Sequence, residues 1–71
     1  MDLKLQNKLE NLFEENYEKV TIEENCAIAH YPAIFELSVI AIINTFESFG
    51  VKCGEHYFDD EMEDFVIPFI N

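Results

Sequence analysis

The longest apolar segment of the chain covers residues 32–49, and its pattern predicts a helix of about five turns. Proline suits the first position of a helix, as at Pro32, and glycine suits the position just past its end, as at Gly50. Apolar side chains recur at helical spacing and form one continuous stripe, made of Phe35, Val39, Ile42, Phe46 and Phe49. Leu37 and Ile40 lie on the other side, so we expect this helix to be packed on both sides.

Residues 2–17 show the periodicity of an amphipathic helix. Leu5, Leu9, Leu12 and Phe13 share one face, while charged and amide side chains occupy the other. Asp2 is a favourable N-cap for this helix. We expect its apolar face to lie on the helix predicted at 32–49.

The segment between these two helices is compatible with two structures. Thr21 and Glu24 have the spacing of a helix capping box, and the alanines that follow favour a helix from Ile22. Residues 26–31 also alternate as a strand does, and a strand there would pair with residues 51–58. The sequence favours the helix.

The C-terminal part contains a run of acids at 59–64, followed by an aromatic and aliphatic tail. Asp59 or Asp60 can cap a helix, and acids in a first turn interact favourably with the helix dipole. We therefore predict a last helix over residues 60–66, with Pro68 ending it.

Together these elements predict a mainly α fold, a bundle of three to four helices in one small domain of residues 1–71. The alternative is an α+β fold with a short two-stranded sheet formed by 26–31 and 51–58. The chain is close to the size at which one hydrophobic core is only marginally stabilising, so a second domain is excluded.

The chain is strongly acidic, with 15 Asp and Glu residues against four lysines and no arginine, and its formal net charge is −11. Binding to nucleic acid or to an anionic membrane requires basic side chains, so neither is expected as a direct partner. A basic protein is the partner that such charge attracts, and electrostatic steering raises association rates by roughly 10- to 1,000-fold. The same charge also keeps a Phe-rich chain soluble, which is a simpler explanation of it.

The apolar run within the central segment is too short to cross a membrane, and the N-terminus lacks the apolar core of a signal sequence. We therefore expect a cytoplasmic protein whose two cysteines are free thiols. We expect no enzymatic activity and no cofactor, since no nucleophile with an orienting group and no pair of catalytic carboxylates can be identified.

The run of acids is the strongest candidate site, because five carboxylates in six residues exceed what a helix cap needs. They can present negative charge where a basic protein expects phosphates, which predicts an inhibitor that acts by nucleic-acid mimicry. Anti-restriction and anti-CRISPR proteins of phages and immunity proteins of nuclease toxins share this small size and acidity. The predicted partner-binding residues, with aromatic anchors included, are Glu55, Asp59, Asp60, Glu61, Glu63, Asp64, Tyr57, Phe58 and Phe65.

A zinc site is a weaker alternative. Cys26 with His30 and Cys53 with His56 form two half-sites with the ligand types of tetrahedral zinc. Zinc bound there would stabilise a domain of this size. Buried thiols beside partly exposed histidines are the commoner arrangement, so we predict no metal.

A structural or assembly role is the other alternative. The helix side that carries Leu37 and Ile40 can be half of an interface, either in a homodimer or in a complex with a host protein. In that case the negative charge only prevents aggregation.

Overall fold

The computed structural model describes residues 1–70, which form an α+β domain with two helices and one four-stranded sheet. In chain order the elements are α1 (Leu3–Glu15), β1 (Val20–Ile22), β2 (Cys26–Ala29), α2 (Glu36–Ser48), β3 (Tyr57–Asp59) and β4 (Asp64–Pro68). The strand order in the sheet is β1-β2-β4-β3, and every neighbouring pair is antiparallel. The two central strands come from different hairpins, so the pairing of β2 with β4 joins the two halves of the chain.

The prediction of a mainly helical bundle is wrong. Among residues 1–70 only α1 and α2 are α-helices, and the segments expected to form the remaining helices contain strands. The α+β alternative names the right class, but its pairing of 26–31 with 51–58 is also wrong. Strand β2 pairs with β1 on one side and with β4 on the other.

The β1–β2 hairpin replaces the helix expected from Ile22. Val20, Thr21 and Ile22 are all β-branched, which favours a strand, and Thr21 lies in mid-strand rather than at a helix N-cap. In β2, Ala27 and Ala29 are buried in the core, whereas the residues between and before them lie on the opposite face of the sheet. The alanines that favoured a helix are therefore small core residues of a central strand.

The predicted helix over 60–66 is also wrong, because this segment is the tip and second strand of the β3–β4 hairpin. Asp59 ends β3, and its Oδ1 accepts hydrogen bonds from the backbone N–H of Glu61 at 2.9 Å and of Met62 at 3.0 Å. Glu63 closes the turn in the left-handed conformation, at φ 58°. A carboxylate bonded to the following N–H groups stabilises a turn, so Asp59 has a structural role here.

Both helices cover the same face of the sheet and enclose one hydrophobic core. As predicted for α1, Leu9 and Phe13 are buried, and Asp2 caps the helix by accepting a 2.9 Å hydrogen bond from the N–H of Leu5. The rings of Phe13 and Phe46 pack with centroids 5.2 Å apart, which joins the two helices. The buried residues of the core are Leu9, Phe13, Ile22, Ala27, Ala29, Ile34, Val39, Ile42, Phe46 and Ile67.

Helix α2 begins later than the sequence predicts. It starts at Glu36, and Pro32 lies in the preceding turn, after a cis peptide bond from Tyr31. Phe35 is the N-cap residue and is 62% exposed, so it does not belong to the buried stripe. Gly50 follows the helix at φ 85°, as expected for a glycine just past a helix end.

The outer side of α2 is uncovered. Leu37 is 84% exposed and Ile40 is 47% exposed, because β1 and β2 form part of the sheet instead of packing on this side of the helix. Among residues 1–70, no helix has the combination of length and apolar character that crossing a bilayer requires.

Candidate functional site

Four aromatic side chains meet beside the tip of the β3–β4 hairpin and form an exposed aromatic cluster, made of Tyr31, Phe35, Phe58 and Phe65. Tyr31 lies at its centre, with its ring centroid 5.6 Å from that of Phe58 and 6.1 Å from that of Phe35. Phe58 and Phe65 are a cross-strand pair 5.1 Å apart. Phe65 packs against the core, whereas Tyr31 is 47% exposed and Phe58 is 39% exposed. Clustered aromatic rings that remain this exposed are typical of an interaction surface.

A chain of hydrogen bonds fixes Tyr31 in this cluster. The backbone N–H of Tyr31 donates to Oδ1 of Asp64 at 3.1 Å, and Oδ2 of Asp64 lies 3.2 Å from Nδ1 of His30. Nε2 of His30 lies 2.7 Å from Oγ1 of Thr21. This chain of hydrogen bonds crosses from β1 to β4. Asp64 positions Tyr31 in this way, and both oxygens of its carboxylate are occupied within the protein.

The order of hydroxyl, imidazole and carboxylate in this chain is also that of a catalytic triad, but its setting differs. In α/β-hydrolases the nucleophile lies on a sharp turn that exposes its hydroxyl, whereas Thr21 lies in the middle of a regular strand. The carboxylate of Asp64 is shared with the backbone of Tyr31 as well. We therefore interpret this chain of hydrogen bonds as structural.

The acids of the hairpin divide into two groups. Asp59 and Asp64 face each other as the last pair of the two strands, and both accept hydrogen bonds within the protein. Asp60, Glu61 and Glu63 are exposed on the turn, and within residues 1–70 their carboxylates accept no hydrogen bond. The hairpin tip thus displays three free negative charges.

A cavity of about 250 Å³ lies between the aromatic cluster and the hairpin tip. It is lined by Tyr31, Pro32, Phe58, Asp60 and Glu63. The ring planes of Tyr31 and Phe58 stand at 87° to each other, so the two rings form adjacent walls. The cavity therefore combines aromatic surface with free carboxylates.

The negative charge of the domain is not neutralised by its lysines. Within residues 1–70 both ion pairs involve histidine, His30 with Asp64 and His56 with Glu36 at 3.4 Å, and no lysine amine is within ion-pair distance of a carboxylate. All four lysines precede residue 53, so the β3–β4 hairpin contains none. The negative electrostatic field of this hairpin acts on any molecule that approaches the aromatic cluster.

The structure brings together part of the predicted partner-binding set. The predicted residues that meet at the cluster and the cavity are Phe58, Phe65, Asp60 and Glu63. Tyr57 is exposed but faces the other side of the sheet, because it pairs with Val66 rather than with Phe65. Glu55 lies in the loop before β3 and does not line the cavity.

Tyr31, Pro32 and Phe35 are site residues that the sequence pattern does not identify. Helical periodicity includes Phe35 in the buried stripe, and the sequence suggests core or interface packing for Tyr31 without assigning it to the partner-binding set. The signal that was available is the spacing Tyr-Pro-x-x-Phe, in which a turn before the helix exposes both rings.

The candidate zinc ligands do not meet in the fold. They are Cys26, His30, Cys53 and His56. The two histidines each contact a carboxylate instead. Over residues 1–70, no three Cys, His, Asp or Glu side chains lie close enough together to hold a metal ion. The zinc alternative therefore has no support in this arrangement.

Both cysteines are partly buried free thiols. Burial raises the pKa of Cys26, and the charge and hydrogen bond of Glu23 raise it further. Burial and then the charge of Glu47 raise the pKa of Cys53. Because the thiolate is the form that attacks substrates and binds metals, neither cysteine is activated for such chemistry.

The candidate site thus consists of the aromatic cluster, the cavity beside it and the three free carboxylates of the hairpin tip. It presents exposed aromatic rings and negative charge on one surface. Comparisons of the chain with protein-family models, with curated proteins and with solved structures found no match.

Proposed function

We propose that this protein is a non-enzymatic inhibitor that binds a basic, nucleic-acid-handling protein in the cytoplasm. The observation that carries the proposal is the exposed aromatic cluster beside three free carboxylates, in a chain of net charge −11. The lysines of the chain pair with none of its carboxylates over residues 1–70, so the charge is available to a partner. Such a surface repels nucleic acid and attracts surfaces rich in Lys and Arg.

Nucleic-acid mimicry is the mechanism that this charge arrangement supports. Duplex DNA carries one phosphate charge per about 1.7 Å of helix axis when both strands are counted. The turn at 60–63 presents three exposed carboxylates on four residues, which concentrates negative charge at one place on the surface. Bound to the Lys and Arg side chains of a nucleic-acid groove, they would occupy the phosphate positions and exclude the natural ligand. Anti-restriction, anti-CRISPR and nuclease-immunity proteins inhibit in this general sense.

The aromatic cluster would supply affinity that exposed charges alone do not provide. Exposed ion pairs contribute only about 0.2–1 kcal/mol each, because solvent screens them. Aromatic side chains buried at the centre of an interface are common hot spots, worth about 2 kcal/mol or more each. Tyr31 and Phe58 are half exposed and adjacent to the free acids, so they are the anchors in this proposal.

Two matched variants test the proposal. The tip variant neutralises the three free carboxylates of the hairpin, with Asp60→Asn, Glu61→Gln and Glu63→Gln. The control variant neutralises three exposed carboxylates of α1, with Glu10→Gln, Glu14→Gln and Glu15→Gln. Both variants change the net charge equally, so they separate a local site from the overall charge.

The assay begins with capture of basic proteins from host extract on the immobilised protein, followed by identification and purification of the partner. Binding of the purified partner is then measured for both variants, and duplex DNA is added as a competitor. We expect the tip variant to bind about tenfold more weakly, which is the loss of three exposed charge pairs. We expect the control variant to bind nearly as the parent does, and we expect raised salt to slow association.

Two results would contradict this mechanism. If both variants weaken binding equally, only the total charge matters and the hairpin tip is not the site. If duplex DNA does not compete with the protein for binding to the captured partner, the protein does not mimic nucleic acid.

An interface on the outer side of α2 is a second candidate, supported by the exposure of Leu37 and Ile40. The two residues are three positions apart on a helix and therefore share one side. Sedimentation at micromolar concentration should show a dimer for the parent chain and a monomer for the Leu37→Ser, Ile40→Ser variant. A parent chain that sediments as a monomer at that concentration rules out the homodimer.

A further inference from the structure

We propose that the cavity lined by Tyr31, Pro32, Phe58, Asp60 and Glu63 binds one arginine side chain of the basic partner. The assignment rests on the proposed function, because a basic partner has to supply the arginine. Charge alone would attract any cation, whereas this cavity would recognise one chemical group.

The size of the cavity fits a single side chain. Its volume of about 250 Å³ is below the roughly 300–1,000 Å³ of pockets that bind drug-sized ligands. All of the residues that line it are exposed: four lie on two turns at the surface, and Phe58 lies on β3. A side chain that projects from another protein can therefore enter without a rearrangement of the fold.

The two aromatic walls favour a planar cation. Tyr31 and Phe58 stand at 87° with centroids 5.6 Å apart, and both keep a large exposed area. A cation near the face of an aromatic ring is attracted by the ring quadrupole, and arginine makes this contact more often than lysine. The guanidinium group also stacks on aromatic rings and is more weakly hydrated than an ammonium group.

The two carboxylates complete the recognition of arginine. Asp60 and Glu63 line the cavity, and within the described part of the chain their carboxylates have no hydrogen-bond donor. A guanidinium carries five N–H donors in a planar fork, so it can bond to two carboxylates while it stacks on a ring. A neutral group lacks the cation–π attraction and the charge assistance of these hydrogen bonds, and an anionic group is repelled by the two carboxylates.

Glu63 allows a variant that tests the pocket without a cost in folding. Its backbone is left-handed at φ 58°, and asparagine adopts this conformation more readily than glutamate. The pocket variant is therefore Asp60→Asn with Glu63→Asn. The matched control is Glu10→Gln with Glu14→Gln, which removes two exposed carboxylates of α1 outside the cavity.

The experiment is an NMR titration of the full chain with the peptide acetyl-Gly-Arg-Gly-amide. We expect chemical-shift changes confined to the residues that line the cavity, with dissociation constants of about 1 mM for so small a ligand. The same peptide with citrulline, which keeps the shape but lacks the charge, should produce no changes. The lysine peptide should bind more weakly than the arginine peptide. The pocket variant should weaken arginine binding about fivefold, as expected for two exposed charge pairs, and the control variant should leave it unchanged.

Several outcomes would overturn the assignment. Shift changes spread over the acids of α1 would show non-specific attraction, and equal binding of the lysine peptide would remove the preference for arginine. Equal losses in the pocket and control variants would place the effect in the net charge. These peptide results do not depend on capture of a partner. The pocket proposal can therefore fail while the inhibitor proposal stands, and the inhibitor proposal can fail while the pocket proposal stands.

Discussion

The buried ring of Phe46 should be one of the largest single contributors to the stability of this domain. It is 0% exposed, and its centroid lies 5.2 Å from that of Phe13 in α1 and 5.3 Å from that of Phe69 beyond β4. The ring thus connects both helices with the C-terminal segment. Phe46→Ala removes it and leaves a cavity that the neighbouring side chains fill only in part.

The expected loss of unfolding free energy for Phe46→Ala is about 3–5 kcal/mol, the usual range for a buried phenylalanine. For a domain of 71 residues, the total stability is about 4–11 kcal/mol, at roughly 0.05–0.15 kcal/mol per residue. The urea dependence of a domain this small is about 1 kcal/mol per M, so a loss of about 3–5 kcal/mol should lower the urea midpoint by about 3–5 M. At the low end of the stability range, the variant is unfolded without urea.

Phe35→Ala is the matched control, because it makes the same chemical change at a ring that is 62% exposed and contacts Tyr31 edge to face. We expect it to cost about 1 kcal/mol or less. Urea denaturation followed by circular dichroism measures both variants. A loss below about 1.5 kcal/mol for Phe46→Ala, or equal losses for the two variants, would refute the packing described above. Equal losses would favour the single helical stripe in which both rings belong to the core.

Three further predictions concern acids with different local roles. Asp59→Ala should lower the unfolding free energy by about 1 kcal/mol through loss of the turn hydrogen bonds, while Asp60→Ala should change it by less than about 0.5 kcal/mol in the same urea assay. Burial and the charge of Glu23 raise the pKa of Cys26, so Glu23→Gln should lower that pKa and speed the reaction of Cys26 with a disulfide reagent at about pH 8, with Cys53 unchanged as the internal control. Burial raises the pKa of Glu18 in the folded state, so its stabilising contribution is present at low pH and is lost as the pH rises through the folded pKa. Glu18→Gln should therefore raise the melting temperature at about pH 7 and have no such effect at about pH 3, where the carboxyl is protonated in both states; an equal gain at both pH values would contradict this.

The elements that the sequence predicts correctly are those in which local signals and burial agree. In α1, the capping residue Asp2 and the stripe with Leu9 and Phe13 point to the same helix, and no distant strand competes for these residues. In the middle of α2, Val39 and Ile42 are buried as their spacing predicts. Helical periodicity there is a sufficient guide because the helix buries one side against the sheet.

The strands could not be predicted from local propensity, because their stability comes from partners far away in the chain. Ala27 and Ala29 favour a helix by intrinsic propensity, yet Ala27 pairs with Ile67 across 40 residues. Burial of both alanines under the helices outweighs a preference of a few tenths of a kcal/mol. The run of Phe65, Val66 and Ile67 is a good strand sequence. The acids before it also fit the first turn of a helix, and the prediction of a helix over 60–66 followed that local signal.

The candidate site shows the same limit, because the role of each acid depends on the register of the hairpin. Like charges placed opposite each other in a sheet are destabilising, and the register pairs Asp59 with Asp64. The fold offsets this repulsion with backbone donors, two on Asp59 and the Tyr31 N–H on Asp64, which also lies beside His30. Both carboxylates are therefore already bound, and a partner can use only the acids of the turn between them. If the hairpin were a helix, all five acids would lie within two turns and would be equally free to bind a partner. The unequal effects of Asp59→Ala and Asp60→Ala on stability therefore also test which acids are free to bind.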